Sequence, residues 1–279
     1  MRTTVDLTPA AGPAGPAVGV WLHGVVRDVD AALLATTVGM DGAAVRAVRA
    51  TGLVAVVSTA PLTEYGEEAL RRNLEDLTWL ERAARTHHAV VAALSRAGAV
   101  VPARLATVHH DEARVAEQLT ARRVELTAVL DRLAGNDEWG VKGYVVPGAT
   151  PRPVESAGSG GAGAAYLRRR RAQLTAREQG QRIAADAADA VHEALAGEAV
   201  AARRHPPQDR RLSGAPTAMV LNGAYLVGRD ATTGFRRLVD ALAGRHPEIR
   251  LELTGPWPPY SFAEERPAEP ALTVREPAC

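Results

Sequence analysis

Apolar and polar residues alternate with a period of two in several short segments of this chain, which is the pattern of half-buried β-strands. The clearest case begins at Ile249, where aliphatic side chains occupy every second position and Arg250, Glu252 and Thr254 lie between them. The segments with this strand character are 18–26, 43–48, 53–58, 99–105, 139–146, 218–227 and 249–254.

Longer segments repeat their apolar residues at helical spacing. Leu70, Leu77, Ala84 and Val91 are seven residues apart and form one apolar line, which predicts a helix facing a core. Thr63 is the predicted N-cap of this helix. The predicted helices cover about 65–96, 112–133, 165–203 and 233–243, with a brief helix within 28–37. The stripe of the third helix is thin and rich in alanine, so this helix either packs closely or awaits a partner.

The order strand, helix, strand, strand, helix, strand is one way to build a ferredoxin-like half. We therefore predict an α+β fold with two ferredoxin-like or modified ferredoxin-like halves and long amphipathic helices. The predicted parts are a disordered N-terminal arm (1–17), an N-terminal ferredoxin-like domain (18–108), a C-terminal α+β domain (109–263) containing a flexible loop (147–164), and a flexible C-terminal tail (264–279).

Composition indicates the cellular compartment and excludes some classes of binding partner. The 279 residues carry 33 basic and 32 acidic side chains, a net charge of +1, so no global field attracts nucleic acid or an anionic membrane. Cys279 is the sole cysteine, which excludes an intramolecular disulfide and is typical of a reducing compartment. The sequence shows neither an apolar run long enough to span a bilayer nor a signal peptide. We expect a cytoplasmic protein.

The histidines are the best candidates for catalysis or metal binding. Adjacent histidines on a helix point about 100° apart, so a composite site would need His87 or His88 to meet His109 or Asp111 across the fold. The alternative enzyme site is therefore His87, His109 and Asp111. His87, however, falls on an apolar stripe and is interpreted as a packed histidine, and Asp111 as an N-cap. Nucleophile and phosphate-binding motifs are missing. We expect no catalytic, cofactor or metal site; a metal-dependent or acid–base enzyme is the alternative.

Arg168–Arg171 form the one dense basic run. A nucleic-acid-binding module is the second alternative, because such runs bind phosphate backbones. Four consecutive helical residues spread around the whole helix, however, and acidic residues soon follow. We interpret the run as the solvated start of a helix.

A proline-rich segment with three aromatics follows the last predicted strand. Its sequence is Gly255-Pro256-Trp257-Pro258-Pro259-Tyr260-Ser261-Phe262. Prolines restrict the backbone, so these aromatics are displayed with little conformational entropy left to lose. Trp257 either caps the core or contacts a partner, whereas Tyr260 and Phe262 are expected to meet another surface. Trp257, Tyr260 and Phe262 are the candidate partner contacts.

This proline-rich segment resembles the C-terminal signature of the gas-vesicle L/F protein family. Further blocks that resemble the family are spread over residues 19–262. They are Val20-Trp21-Leu22-His23-Gly24-Val25-Val26, Pro61-Leu62-Thr63-Glu64-Tyr65, Trp79-Leu80, His87-His88, Val101-Pro102-Ala103-Arg104-Leu105-Ala106-Thr107-Val108, Glu138-Trp139-Gly140-Val141-Lys142 and Asn222-Gly223-Ala224-Tyr225-Leu226-Val227.

The resemblance implies a non-enzymatic accessory or minor structural protein of gas-vesicle assembly, associated with the vesicle. Its implied partners are the major gas-vesicle shell protein and other gas-vesicle accessory proteins, rather than nucleic acid or a lipid membrane. Binding of the hydrophobic shell protein would nucleate the wall or keep shell subunits from aggregating. The resemblance does not separate the L branch from the F branch.

Overall fold

The chain forms two compact α+β units, seen in a computed structural model that describes residues 17–147, 162–208 and 217–264. Unit 1 ends at Asp131 and unit 2 begins at Arg132. The predicted N-terminal arm (1–17), loop (147–164) and C-terminal tail (264–279) lie largely outside the described residues. Among the described residues, no helix is sufficiently long and apolar to cross a membrane.

Unit 1 follows the predicted β-α-β-β-α-β order. Its elements are β1 (Val18–Val26), α1 (Ala31–Thr36), β2 (Val45–Ala50), β3 (Leu53–Pro61), α2 (Leu62–Tyr65), α3 (Glu67–Asn73), α4 (Leu77–Ala97), β4 (Val101–Pro102), β5 (Val108–His109), α5 (Glu112–Ala121) and α6 (Arg123–Leu133), the last of which crosses the division between the units. The strands are antiparallel in the order β2-β3-β1-β4, and β5 also pairs with β1.

The single helix predicted over 65–96 is instead two helices, α3 and α4, and they are preceded by the short helix α2, which overlaps the prediction only at Tyr65. Gly66 lies between α2 and α3 with extended backbone, and a Cβ there would be only 2.4 Å from the Leu62 carbonyl oxygen. Asp76 begins α4, because its carboxylate accepts hydrogen bonds from the Thr78 and Trp79 amides. The prediction of Thr63 as the N-cap is therefore wrong. Gly98 ends α4, as the sequence predicts.

The strand predicted over 99–105 is also shorter than expected. Val101 and Pro102 pair with β1, and the chain then turns through Ala106, whose φ is 63°, before β5 pairs with β1 again. Because β5 pairs with β1 and α5 packs against β2 and β3, residues 109–131 belong to unit 1. The division thus falls later than the predicted boundary at 108/109.

Unit 2 repeats the connectivity of unit 1. Its elements are β6 (Asn136–Val145), α7 (Ala162–Glu198), β7 (Ala201–Arg204), β8 (Met219–Gly228), α8 (Thr232–Arg245) and β9 (Ile249–Trp257). The antiparallel strand order is β7-β8-β6-β9, which corresponds strand for strand to β2-β3-β1-β4. The sequence does not predict β7, which was included in the end of the third predicted helix.

Each unit has its own hydrophobic core. In unit 2, the C-terminal half of α7 packs through Ala184, Ala188 and Val191 on Tyr225 of β8 and Phe235 of α8. Alanines allow this helix to approach the sheet closely, as its thin stripe predicts. The core of unit 1 includes two clusters, one of which is rich in aromatics: Trp21, Met40, Ala60, Tyr65, Trp79 and Ala83.

Candidate functional site

The proline-rich segment 255–262, called the tail from here on, begins within the last residues of β9, which is an edge strand of the unit 2 sheet. β9 pairs with β6, and the pairing ends where Trp257 lies opposite Glu138. Gly255, just before this position, has a φ of 126°, which L side chains rarely adopt. A Cβ there would also lie 3.0 Å from the Glu138 carbonyl oxygen and 3.2 Å from Cε3 of Trp139. A glycine is therefore required for the tail to leave the strand at this point.

A buried carboxylate then fastens the end of the tail. Glu138 Oε2 accepts a hydrogen bond from the Ser261 amide (2.8 Å), and Oε1 accepts one from the Ser261 hydroxyl (2.7 Å). His205 Nε2 lies 3.2 Å from the same hydroxyl oxygen. Burial raises the pKa of Glu138, and the hydrogen bonds from Ser261 and the charge of Arg203 oppose that rise. We call the Glu138–Ser261 pair the tail clasp.

Two arginines hold the residue after the clasp. Arg132 donates a hydrogen bond to the Phe262 carbonyl oxygen (3.0 Å), and the Arg203 guanidinium lies 5.6 Å from the centre of the Phe262 ring. Phe262 is only 2% exposed. The expectation that Phe262 meets another surface is therefore wrong for this structure: its ring completes the packing of unit 2 beneath Arg203.

Trp257 and Tyr260 remain on the surface between the strand and the clasp. Trp257 is 45% exposed and Tyr260 is 38% exposed, whereas Pro258 and Pro259 between them are buried. Partial burial, and secondarily the nearby Glu138 carboxylate, raise the pKa of Tyr260 to about 12, so its hydroxyl stays protonated at neutral pH. We call Trp257 and Tyr260 the tail aromatics. Chemically, they present partly exposed aromatic ring surface on a short segment fixed at both ends.

The histidine prediction is resolved in unit 1. His87 is buried; its Nδ1 accepts a hydrogen bond from the Trp21 indole N–H (3.1 Å), and its Nε2 donates to the Ala103 carbonyl oxygen (3.1 Å). The prediction that His87 is a packed, hydrogen-bonded histidine is confirmed. Its ring stacks on that of His23 at 5.5 Å, and His23 Nε2 lies 3.0 Å from the Ser58 hydroxyl. Burial lowers the pKa of His87 to about 4 and that of His23 to about 3.

The other members of the alternative enzyme site have separate roles. Asp111 caps α5 by accepting a hydrogen bond from the Arg114 amide (2.8 Å), as predicted. His109 lines an open surface cavity of about 380 Å³ together with His110, Arg114 and Glu117, and His87 is not part of its lining. Within the described ranges, no group of three or more His, Cys, Asp or Glu side chains is placed to hold a metal ion.

The basic run lies within the first third of α7, where Arg168, Arg170 and Arg171 are exposed. The helical conformation predicted for this run is confirmed. Among the described residues, His87, His109 and Asp111 are not brought together in one site. The basic run lies on the surface of a helix.

The residues that hold the tail in place cannot be identified from the sequence alone. Glu138 and the tail belong to separate sequence blocks, and nothing in a single sequence shows that β6 and β9 are neighbours. Arg132, Arg203 and His205 lie in segments without any motif. The one available signal is Glu138 itself, a carboxylate at the start of a strand whose alternate residues Trp139 and Val141 are buried.

Residues 19–264 match the family model described as gas vesicle synthesis protein GvpL/GvpF. Gas vesicle protein L of a Streptomyces species is 41% identical over 246 residues, which cover 87% of this chain and 92% of that protein. Gas vesicle protein F of the same Streptomyces is 29% identical over 229 residues, which cover 76% of this chain and 84% of that protein.

Solved structures agree with the fold. The crystal structure of gas vesicle protein GvpF from an Anabaena species matches with a TM-score of 0.63 and 20% identity, covering 89% of this chain and 97% of that one. GvpF from Microcystis aeruginosa matches with a TM-score of 0.60 and 19% identity, covering 88% and 99%. At such low identity these structures support the α+β architecture alone. On the match of the family model over residues 19–264, this chain belongs to the GvpL/GvpF family of gas vesicle synthesis proteins.

Proposed function

We propose that this protein is a non-enzymatic accessory protein of gas-vesicle assembly that binds the hydrophobic shell protein through the tail aromatics, Trp257 and Tyr260. Membership of the GvpL/GvpF family supports the role in assembly. The observation that carries the proposed contact is the exposure of both rings on a segment held by Gly255 and the tail clasp.

The physical argument concerns apolar surface and entropy. A wall subunit that excludes water exposes apolar surface before assembly, and such surface aggregates unless a partner covers it. Tryptophan and tyrosine are favoured anchors in protein interfaces because they bury a large area with few rotatable bonds. A segment that is already fixed loses little further freedom on binding, which favours affinity.

The sheet edge adds a second element to this surface. β9 is an edge strand, so its outer side can accept an extended segment of a partner by strand addition. Trp257 lies at the end of the same strand. A shell-protein segment paired along β9 would therefore end beside the tail aromatics.

Co-precipitation with the tagged major shell protein tests this function. We expect the wild-type protein to be captured and the Trp257→Ala/Tyr260→Ala variant to lose most of its binding. A matched control is the Leu77→Ala/Val124→Ala variant, which removes two side chains of unit 1 that are 78% and 76% exposed. The control should bind like the wild type. Failure of the wild type to bind would overturn the proposal, and equal capture of all three proteins would overturn the assignment of the contact to the tail.

A further inference from the structure

Strand β9 pairs on one side only. It lies at the end of the strand order β7-β8-β6-β9, and among the described strands its nine residues, Ile249–Trp257, pair with β6 alone. An edge strand presents a row of backbone N–H and C=O groups that can pair with another chain. Leu251 and Leu253 are only partly buried on this strand. The outer side of β9 can therefore accept a further strand.

The ladder with β6 determines which backbone groups of β9 point outwards. The Val146 amide donates a hydrogen bond to the Glu248 carbonyl oxygen (2.9 Å), whereas the Val145 amide donates towards β8, to the Ala218 carbonyl oxygen (2.9 Å). Hydrogen-bonding residues alternate along an antiparallel pair, and no register shift occurs in this part of the pairing, so residues 250, 252 and 254 also bond to β6. Residues 249, 251 and 253 therefore direct their backbone groups to the outer side.

The side chains of β9 differ between its two faces. Ile249, Leu251 and Leu253 lie on the face that packs against the core of unit 2. Arg250 and Glu252 lie on the other face, where they are half-exposed and form an ion pair along the strand. An antiparallel strand added to this edge therefore meets apolar side chains on one face and charged side chains on the other.

The charges distinguish between the registers that a second β9 could adopt. If two antiparallel copies are centred on Leu251, Arg250 of each copy lies opposite Glu252 of the other. The two neighbouring registers that also place outward-pointing residues opposite each other are centred on residue 250 or 252. They bring together two copies of Arg250 or two copies of Glu252, and like charges directly opposite are destabilising. The strand is thus complementary to itself in the register centred on Leu251.

We propose that two copies of the chain pair through β9 in this register, as an antiparallel dimer with a two-fold axis at Leu251. Symmetry forms each contact twice, as in other isologous interfaces. The Leu251 N–H of each copy donates to the Leu251 carbonyl oxygen of the other, and the Leu253 N–H donates to the Ile249 carbonyl oxygen. On the second face, Arg250 and Glu252 of both copies form a cluster of alternating charges.

The ends of this ladder are set by the sequence. Pro247 and Pro256 have no N–H, so neither can donate to a strand partner. The Ile249 N–H already donates to the His246 carbonyl oxygen within its own chain (3.1 Å). The dimer is therefore a short ladder between the two prolines, and we expect its association to depend on protein concentration.

The order of charges favours a second copy over an unrelated strand, because an antiparallel copy supplies the opposite charge at both positions. A second copy and the shell-protein segment of the proposed function would use the same edge, so each excludes the other at β9. The dimer is proposed for the protein alone. Its test contains no shell protein, so the failure of one proposal is distinguishable from the failure of the other.

Analytical ultracentrifugation of the full chain across a concentration series tests the dimer. We expect the wild type to form dimers. The Arg250→Glu and Glu252→Arg variants each place like charges opposite each other and should be monomeric at concentrations at which the wild type is dimeric. An equimolar mixture of the two variants restores opposite charges across the axis and should form a mixed dimer, although neither chain retains its ion pair along the strand. A monomeric wild type, or a mixture that stays monomeric, would overturn the proposal.

A matched control separates the effect of position from the change in net charge. The Arg72→Glu variant makes the same change of charge as Arg250→Glu at an exposed position of α3 in unit 1, and it should remain dimeric. Circular dichroism equal to that of the wild type shows that each variant is folded. Variants of β9 that dimerise as strongly as the wild type would overturn the assignment of the contact to this strand.

A disulfide crosslink tests the register directly. At the two-fold axis the Cα atoms of residue 251 are about 5.5 Å apart, which is within the range of a disulfide. In a Cys279→Ser background, Leu251→Cys should therefore form an intermolecular disulfide on mild oxidation. Ala241→Cys, at an exposed position of α8, should form none. Absence of the disulfide at position 251, or equal crosslinking at both positions, would contradict the proposed dimer.

Discussion

Glu138 at the start of β6 accepts two hydrogen bonds from Ser261, one from its backbone amide and one from its hydroxyl. The contact joins residues that are 123 positions apart, and it fixes the tail after the chain has left the sheet. Because Glu138 is only 9% exposed, the loss of either partner leaves a buried polar group without full compensation. The position of the tail aromatics therefore depends on this pair.

We expect Ser261→Ala to destabilise unit 2 by about 1–2 kcal/mol, because one hydrogen bond to a buried carboxylate is lost. Urea denaturation measures the change in the free energy of unfolding. Limited proteolysis should also cut the tail of this variant sooner. The Thr233→Ala control removes an exposed hydroxyl of α8 and should change stability by less than about 0.5 kcal/mol. Equal stability of the Ser261→Ala variant and the wild type would show that the clasp contributes nothing.

Gly255→Ala should destabilise the protein by about 1–3 kcal/mol, because an L side chain is strained at a φ of 126° and its Cβ would crowd Glu138 and Trp139. Gly244→Ala is the matched control: this glycine lies in α8, where a Cβ would have nothing within 4 Å and alanine is the better helix former. Thermal unfolding should therefore show a lower Tm for the first variant and an unchanged or higher Tm for the second. A higher Tm for Gly255→Ala than for Gly244→Ala would contradict the backbone conformation at Gly255.

The indole N–H of Trp21 is expected to stabilise unit 1 through His87. Trp21→Phe keeps most of the apolar contact but leaves His87 Nδ1 buried without its donor, at a cost of about 1–3 kcal/mol. Trp257→Phe makes the same chemical change at an exposed position and should cost less than about 0.5 kcal/mol. Chemical denaturation of the two variants measures this contrast, and equal losses in both would argue against the buried hydrogen bond.

The buried histidines predict that acid destabilises unit 1. Folding lowers the pKa of His87 to about 4 and that of His23 to about 3, both from an ordinary value of 6.5. A depressed pKa contributes stability that is present above pH 6.5 and is lost as the pH falls towards these values. The loss should reach about 1.4 kcal/mol per pH unit for each histidine that remains neutral in the folded state.

The His87→Gln variant provides the comparison for this pH dependence. Glutamine can accept from Trp21 and donate to Ala103, but it does not titrate. Its stability should fall less steeply than that of the wild type between pH 6.5 and pH 4. Identical slopes for the two proteins would mean that His87 does not contribute to the acid sensitivity.

The periodic segments of the fold could be predicted from the sequence, and the long-range contacts could not. β1 begins and ends at the predicted residues, and β8 and α8 differ from their predictions by one or two residues at each end, since alternation and helical spacing are local signals. The break at Asp76 is not predicted, because the apolar line from Leu70 to Val91 continues across it. The break at Gly66 lies before that line begins. β7 was missed because its Ala-Ala-Arg-Arg sequence has no alternation, and pairing with β8 determines its conformation.

The tail shows the same limit at the candidate site. The prolines predict a stiff segment, and Trp257 and Tyr260 are exposed on it. The prolines do not predict which of the three aromatic side chains is buried. The burial of Phe262 depends on Arg132 and Arg203, which lie 130 and 59 positions away in the chain and contact it only after unit 2 has folded.

The contact between the tail aromatics and the shell protein is the central claim, and site-specific crosslinking tests it most directly. We would introduce the photoreactive residue benzoylphenylalanine at Trp257 and, in a second protein, at Leu77 as the exposed control in unit 1. Irradiation in the presence of the major shell protein should give a crosslinked adduct from position 257 and none from position 77. An adduct from position 77 alone, or from neither position, would contradict the proposed role of the tail.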